Sequence, residues 1–378
     1  PLEEKPESLS IIHSTKMCGA GVGWCLVKQL VTWGLAQELL DLVALATIAD
    51  MVPLLGVNRV LVKVGLKQMN KTKRVGLLSL MKDAGLELGN IGTYEIGYIL
   101  GPRLNAKGRL EHALDSLRLL CTKDVEKARK LAKMLSDTNT QKKQLVEDAI
   151  VEAKEIIKIS HPRGVIQKKI LVLYSKNWIP GIVGLVAGRI SDEYNLPTIA
   201  ISLGEVESKG SARSIKGINI VETISMCSEF LIKVGGHPQA AGFTIETTKI
   251  EIFKQNLEKV ADKIDFAKDG YLAIDAILNP QIITKKMIGV IEQFEPFGIE
   301  NNKPVFASLK VPVTDLKTVG SGKHLKFKAG GIDGIAFSKG DLMEKLKENQ
   351  LIDVIYYLEI NKFNGNETLQ LKVLDVQY

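Results

Sequence analysis

Between Arg109 and His161 the chain runs without a glycine or a proline. Within that stretch Ala128, Leu131, Leu135, Leu145, Ala149, Ala153 and Ile156 recur mostly at three- and four-residue steps, one face of an amphipathic helix. Asp124 stands where an N-cap is needed. The pattern predicts a single helix of about 35 residues, roughly 50 Å long, suited to connect two lobes. Beyond Pro162-Arg163-Gly164 the apolar spacing shortens. Ile170–Tyr174 reads as a buried strand, Ile182–Tyr194 as a helix and Pro197–Ser202 as the next strand. Strand, helix, strand predicts a parallel crossover and therefore an α/β domain, closing near Asp262–Phe266.

From Tyr271 the pattern changes again. Residues 305–309, 324–328, 334–337, 353–359 and 368–376 read as short strands divided by turns. Five strands in about 105 residues predict a small β-barrel, with the oligonucleotide/oligosaccharide-binding (OB) fold as first choice. Residues 1–120 alternate short apolar runs with Gly/Pro punctuation, as in the α/β or helical lobe of a larger domain. Length changes the picture little: 378 residues fit two or three domains. Lys+Arg 50 against Asp+Glu 43 leaves a net charge of +7, compatible with a polyanionic partner. Cys18, Cys25, Cys121 and Cys227 form no Cys-x-x-Cys pair, which favours reduced thiols in a cytoplasm over a disulfide or zinc framework. No apolar run suggests a membrane span. The chain opens on Pro1 in a polar stretch, and we expect residues to precede it.

Several segments carry candidate chemistry. Gly235-Gly236-His237-Pro238-Gln239-Ala240-Ala241-Gly242 sets five small residues around one histidine, so backbone can approach a ligand closely while the imidazole donates or accepts. The competing reading is a Gly-Gly turn before a strand with a satisfied core histidine. Asp50 sits in the apolar run 42–55 and is either a ligand for a hard ion such as Mn²⁺ or Mg²⁺ or a helix cap. Gly101–Arg109 reads as a glycine-bounded loop before a helix, with Arg103, Asn105, Lys107 and Arg109 placed to clamp phosphates. Lys209–Ser214, with Ser211 and Arg213, reads as a phosphate cradle. Trp178–Gly184 precedes a helix starting near Val183 and is either an anion site or, more simply, a tight turn. Lys323-His324-Leu325-Lys326-Phe327-Lys328 reads as a strand with His324, Lys326 and Lys328 on one face and Lys323, Leu325 and Phe327 on the other.

Taken together, these segments resemble the RecJ family of single-strand-specific 5′→3′ exonucleases in the DHH phosphoesterase superfamily. Leu40–Leu54 with Asn58-Arg59 looks like its fourth metal-site motif, and Gly101–Leu110 like its Gly-Pro-Arg segment. Trp178–Arg189, Lys209–Ser214 and Gly235–Gly242 look like the DHH-associated domain. Pro296-Phe297-Gly298, Gly322–Lys326 and Leu369-Gln370-Leu371 look like its OB domain. The resemblance implies an α/β multidomain chain: a partial DHH lobe over 1–122, a long connecting helix over 123–160, an α/β DHH-associated domain over 161–268 and an OB-type β-barrel over 269–378. It also implies a two-metal Mn²⁺ or Mg²⁺ site in the complete enzyme, with Asp50 as a ligand and His237 beside the scissile phosphate. Nucleic acid would be held by Arg103, Asn105, Arg109, Ser211, Arg213, Gly235, Gly236, Lys323 and Lys326. Implied partners are single-stranded DNA, a single-strand-binding protein and a recombination helicase, for a cytoplasmic monomer serving DNA repair and recombination.

The chain departs from the family at telling places. Its five histidines, His13, His112, His161, His237 and His324, have no histidine neighbour, so no Asp-His-His occurs. Ala46 stands where the family has glycine, and Ile299-Glu300-Asn301-Asn302 replaces a Gly-Asn-Pro pattern. The expectation is therefore a chain that lacks most metal ligands and does not cut alone. The alternative is a non-catalytic single-strand binder or scaffold derived from the same family.

Overall fold

The structure is a computed structural model that describes residues 7–110, 112–161, 166–264, 272–363 and 366–378. The turn expected at Pro162-Arg163-Gly164 and the domain edge expected at 268–269 lie outside the described residues.

Helices α1 (Gly19–Val27), α2 (Trp33–Glu38), α3 (Leu40–Ala49), α4 (Gly56–Met69) and α5 (Val75–Asp83) come first. A π-helical stretch, Glu95–Leu100, runs into α6 (Gly101–Leu110), followed by α7 (Leu114–Cys121) and α8 (Val125–Ser160). Next come β1 (Leu171–Ser175), α9 (Pro180–Tyr194), β2 (Thr198–Ser202), β3 (Glu207–Arg213) and α10 (Ile220–Ser225). Strands β4 (Leu231–His237) and β5 (Ala240–Glu246) precede α11 (Ile250–Asp262). The last segment holds β6 (Ala276–Ile277), α12 (Lys285–Glu292), β7 (Phe306–Val319), β8 (His324–Ala329), β9 (Ile332–Ala336), β10 (Leu351–Phe363) and β11 (Asn366–Gln377).

The chain divides into two compact units. One joins residues 1–72, 89–97 and 271–378; the other joins 73–88 and 98–270.

In the second unit, α8 is the helix its periodicity predicts. The Asp124 side chain accepts from the Lys127 amide at 3.1 Å, satisfying a donor that the first turn leaves free. Ala128, Ala132, Leu135, Ala149, Ile150, Ala153 and Ile157 form the buried stripe. Five strands run in the order β1-β2-β3-β5-β4, with β1 and β2 parallel and the rest antiparallel. Alternation along each strand sorts the side chains between two cores. Leu171, Leu173 and Ala200 pack with α8 and α9, whereas Val172, Ile199, Ile201, Ala212, Phe243 and Ile245 pack with Ile220 and Ile224 of α10 and Phe253 and Leu257 of α11.

Two expectations fail here. Gly101–Arg109 is helix, not loop: the helical run begins at Thr93, passes through the π-helical turn and continues across Pro102. Helix α9 begins at Pro180 rather than near Val183, because a proline in the first turn gives up no amide donor that the helix needs, and ends at Asn195 in the left-handed conformation (φ 50°).

In the first unit, β7-β8-β9-β11-β10 close into a ring, because β10 pairs with both β11 and β7. Val313, Leu325, Phe327, Ala336, Val354, Tyr356, Leu358 and Leu371 fill it. The buried Tyr356 hydroxyl meets Ser308 Oγ at 2.8 Å, and Ser308 donates to the Leu278 carbonyl at 2.7 Å, so neither is left unpaired. Strand β7 is far longer than the expected 305–309. Positive φ at Lys310 and Asp315 and a register shift between Thr314 and Lys317 bend it around the ring.

Candidate nucleic-acid interface

The sequence-predicted residues of the α/β domain meet on one bare sheet face. Within β3, Ser208, Gly210 and Ala212 are buried, so Lys209, Ser211 and Arg213 project from the opposite face, where α9 lies. Strand register extends that face across β5 and β4. Arg213 pairs with Ala240 and Ala240 with His237, giving one row; Ser211, Gly242 and Gly235 give the next; Lys209, Thr244 and Lys233 give a third. Helix α9 walls one side. A Cβ on Gly184 would lie 2.9 Å from Arg213 Nη2 and 3.0 Å from Ser211 Oγ, so glycine lets both side chains pass under the helix. Over β5 and β4 the face is uncovered, with Gly235, His237 and Gly242 exposed.

The glycines of this floor differ in kind. Gly236 is fixed by the fold: a Cβ there would come 2.2 Å from the Ala240 carbonyl oxygen and 2.7 Å from Ala241 Cα. At Gly235 a Cβ meets nothing within 4 Å, and at Gly242 only the Gly210 oxygen at 4.0 Å. Packing does not require glycine at either position. The Gly-Gly turn of the competing reading is therefore absent. Gly235 and Gly236 belong to β4, the reversal falls on Pro238-Gln239, and His237 is exposed rather than buried in a core.

Arg213 anchors the groove. Its Nη1 donates to Ser211 Oγ at 3.1 Å and to its neighbour's carbonyl, Ala212 O, at 2.8 Å. Burial, and then the Arg109 charge, push its guanidinium pKa down, so the cation is short of counter-charge. Arg109 sits at the end of α6 and donates to the Gly181 carbonyl at 3.4 Å. Gly181 packs so tightly that a Cβ would fall 1.8 Å from the Arg109 carbonyl oxygen, which closes the start of α9 rather than opening it to an anion. Arg103 is spent on structure, donating to Ser136 Oγ at 3.2 Å and to Ile99 O at 2.9 Å; Asn105 is exposed on α6. Glu152 of α8, not singled out by sequence, accepts from Ser175, Asn177 and Trp178 and pins the β1–α9 loop.

Two family models match the chain: the DHHA1 domain over residues 167–265 and the RecJ OB domain over residues 274–375. The single-stranded-DNA-specific exonuclease RecJ of Bacillus subtilis is 32% identical across 99% of this chain and 49% of its own length. That of Escherichia coli is 32% identical across 92% of this chain and 62% of its own. The crystal structure of Thermus thermophilus RecJ in complex with Mg²⁺ superposes with a TM-score of 0.83 at 29% identity, covering 94% of this chain and 55% of that one. The chain belongs to the RecJ family. It spans about half to two-thirds of the length of these RecJ relatives.

The RecJ OB barrel carries its own basic face. Leu325 and Phe327 point inward, and His324, Lys326 and Lys328 outward, as alternation predicts. Lys323 is not on the strand but exposed in the turn before it. Lys328 is neutralised by Asp315 at 2.7 Å, and His324 Nδ1 accepts from the Ser338 amide at 2.9 Å. Sequence reasoning missed two neighbours here. Lys317 stands opposite Lys326, and the half-exposed Phe337 ring packs edge-on to His324 at 5.3 Å. Only the pairing register brings them together.

Asp50 caps the C-terminus of α3 and is exposed, so the apolar run packs along the helix and not around the carboxylate. The buried acid of this segment is Asp41, 1% exposed, which accepts from the Leu42 amide and from Thr72 Oγ1. Among the described residues no three His, Cys, Asp or Glu side chains gather into a metal set. One exposed carboxylate by itself does not hold a divalent ion.

Proposed function

We propose that this chain is the nucleic-acid-gripping part of a metal-dependent, single-strand-specific 5′→3′ DNA exonuclease. One observation carries the reading: the floor at Gly235 and Gly242, kept bare where the fold has room for side chains, beside His237, Ser211 and Arg213. A single strand lies flat against such a floor, while duplex presents both backbones and stays too broad. Ser211 and Arg213 take the 5′-terminal phosphate, with Arg109 adding charge, and His237 at the strand end hydrogen-bonds a neighbouring phosphate oxygen. Lys323, Lys326, Lys317 and Phe337 give the barrel a basic, partly aromatic surface of the kind that holds single strands without reading sequence. The names of the relatives support the same reading, and the Mg²⁺ and Mn²⁺ of the Thermus crystal structures support a divalent metal in the complete enzyme, with Asp50 contributing. Division at 122, 160 and 268, a monomeric state, a cytoplasmic location in DNA repair and recombination, and a single-strand-binding protein and a helicase as partners complete the proposal. Among the described residues no helix is long and apolar enough to cross a membrane.

Gly235→Val tests it. The valine enters open space, so the melting temperature should hold, while affinity for a fluorescent 5′-phosphorylated oligothymidylate drops about five- to tenfold as the floor is blocked. Fluorescence anisotropy beside a thermal melt reads both. Unchanged affinity would remove the groove from the interface.

A further inference from the structure

The stripe that α8 buries is apolar except at two positions one turn apart, Asn139 and Lys142. Asn139 is 2% exposed, and its Oδ1 has no hydrogen-bond partner. Lys142 is 7% exposed, and among the described residues its Nζ donates only a long bond, 3.3 Å, to the Pro102 carbonyl of α6. A buried ammonium without a carboxylate beside it is costly.

Its surroundings add to that cost. Helix α6 contributes Arg109 and α8 contributes Lys143, and both repel it. Arg103 of α6 is committed to Ser136 and Ile99, and Lys107 has a partner of its own. No acid among the described residues acts on Lys142: Asp83 of α5 acts on Lys133, Asp115 of α7 pairs with Arg118, and Glu193 of α9 pairs with Lys154. Lys133 and Lys154 stand about 13 and 18 Å from Lys142 along the helix axis. Burial first, then Arg109, lower the Lys142 pKa to about 8. Arg109 also acts on Arg213, so like charges lead from the α6–α8 seam to the groove.

We propose that Lys142 is a positioning residue of the nucleic-acid groove, a buried charge that a phosphate bound at Arg109 and Arg213 stabilises, so that binding draws a proton onto its amine. The inference rests on the groove reading above. The proton leaves water or a buffer acid, whose conjugate base stays in solvent, and forms one N–H bond on the amine. A bound phosphate supplies the missing counter-charge and moves the Lys142 pKa back towards the ordinary lysine range.

The experiment measures affinity of the whole chain for a fluorescent 5′-phosphorylated oligothymidylate from about pH 7.5 to about 9.5, above the range where histidine titrates. Wild-type affinity should fall about five- to twentyfold across that window as unbound Lys142 loses its proton. Lys142→Arg should bind as tightly as wild type at the lower pH and stay flat. Lys142→Met should bind weakly and flatly while its thermal midpoint rises, a gain that a purely structural lysine would not give. A wild type whose pH slope matches that of Lys142→Arg overturns this inference and leaves the groove standing. A wild type that binds nowhere in the window overturns the groove reading, and this inference with it.

Discussion

Arg213→Ala should lower affinity for a 5′-phosphorylated single strand by about 1.5–3 kcal/mol, roughly ten- to 150-fold, with little change for a 5′-hydroxyl strand. Arg213 is held over the groove by Ser211 Oγ and the Ala212 carbonyl, and its remaining N–H donors face the space beside Gly184. Charge-assisted contacts to a terminal phosphate are strong because the guanidinium is already partly desolvated and has no acid partner among the described residues. Arg213→Lys keeps the charge without the planar fork and should recover only part of the loss. Competition between phosphorylated and unphosphorylated oligonucleotides reads the preference directly. A mutant that keeps the full preference for the phosphate would place the 5′ end elsewhere.

Gly210→Ala should cost the α/β domain about 2–3 kcal/mol, the upper part of the range for overpacked cores. Gly210 of β3 lies directly across from Phe243 of β5, and an added Cβ would fall 2.1 to 2.5 Å from three ring carbons. The ring cannot easily retreat, because it packs against Phe253 with centroids 5.3 Å apart. Denaturant unfolding of the whole chain would show the loss. Adding Phe243→Leu should return part of it, since a smaller side chain yields the space. Equal stability of Gly210→Ala and wild type would contradict the packing described here.

Much of this architecture was legible because it obeys local periodicity. The stripe of α8 and the capping Asp124 are visible at helical spacing, and β8 alternates as its sequence does. The RecJ family likeness was likewise legible in short motifs, and Ser211, Arg213, Gly235 and His237 fall on one sheet face. What local pattern hid was tertiary. Pro102 and Pro180 look like loop residues until one is seen just past a π-helical turn and the other in a first turn. Asp50 has apolar neighbours in sequence on both sides, yet a helix that ends there turns it outward. Lys142 drew no reading from the sequence; packing against α6 makes it a buried charge. Gly184 gave no signal at all, since its role depends on side chains from another element passing beneath it.

The order of strands in the barrel also bears on where the gene can tolerate a premature stop. Strand β11 lies between β10 and β9 and pairs with both, so it is an interior member of the ring although it follows the other strands in sequence. A terminator between Phe363 and Leu371 would strip two strands of a neighbour at once and leave Leu358 and Ala336 without Leu371 and Val373. During synthesis, too, the ring has no route to closure until β11 has left the ribosome.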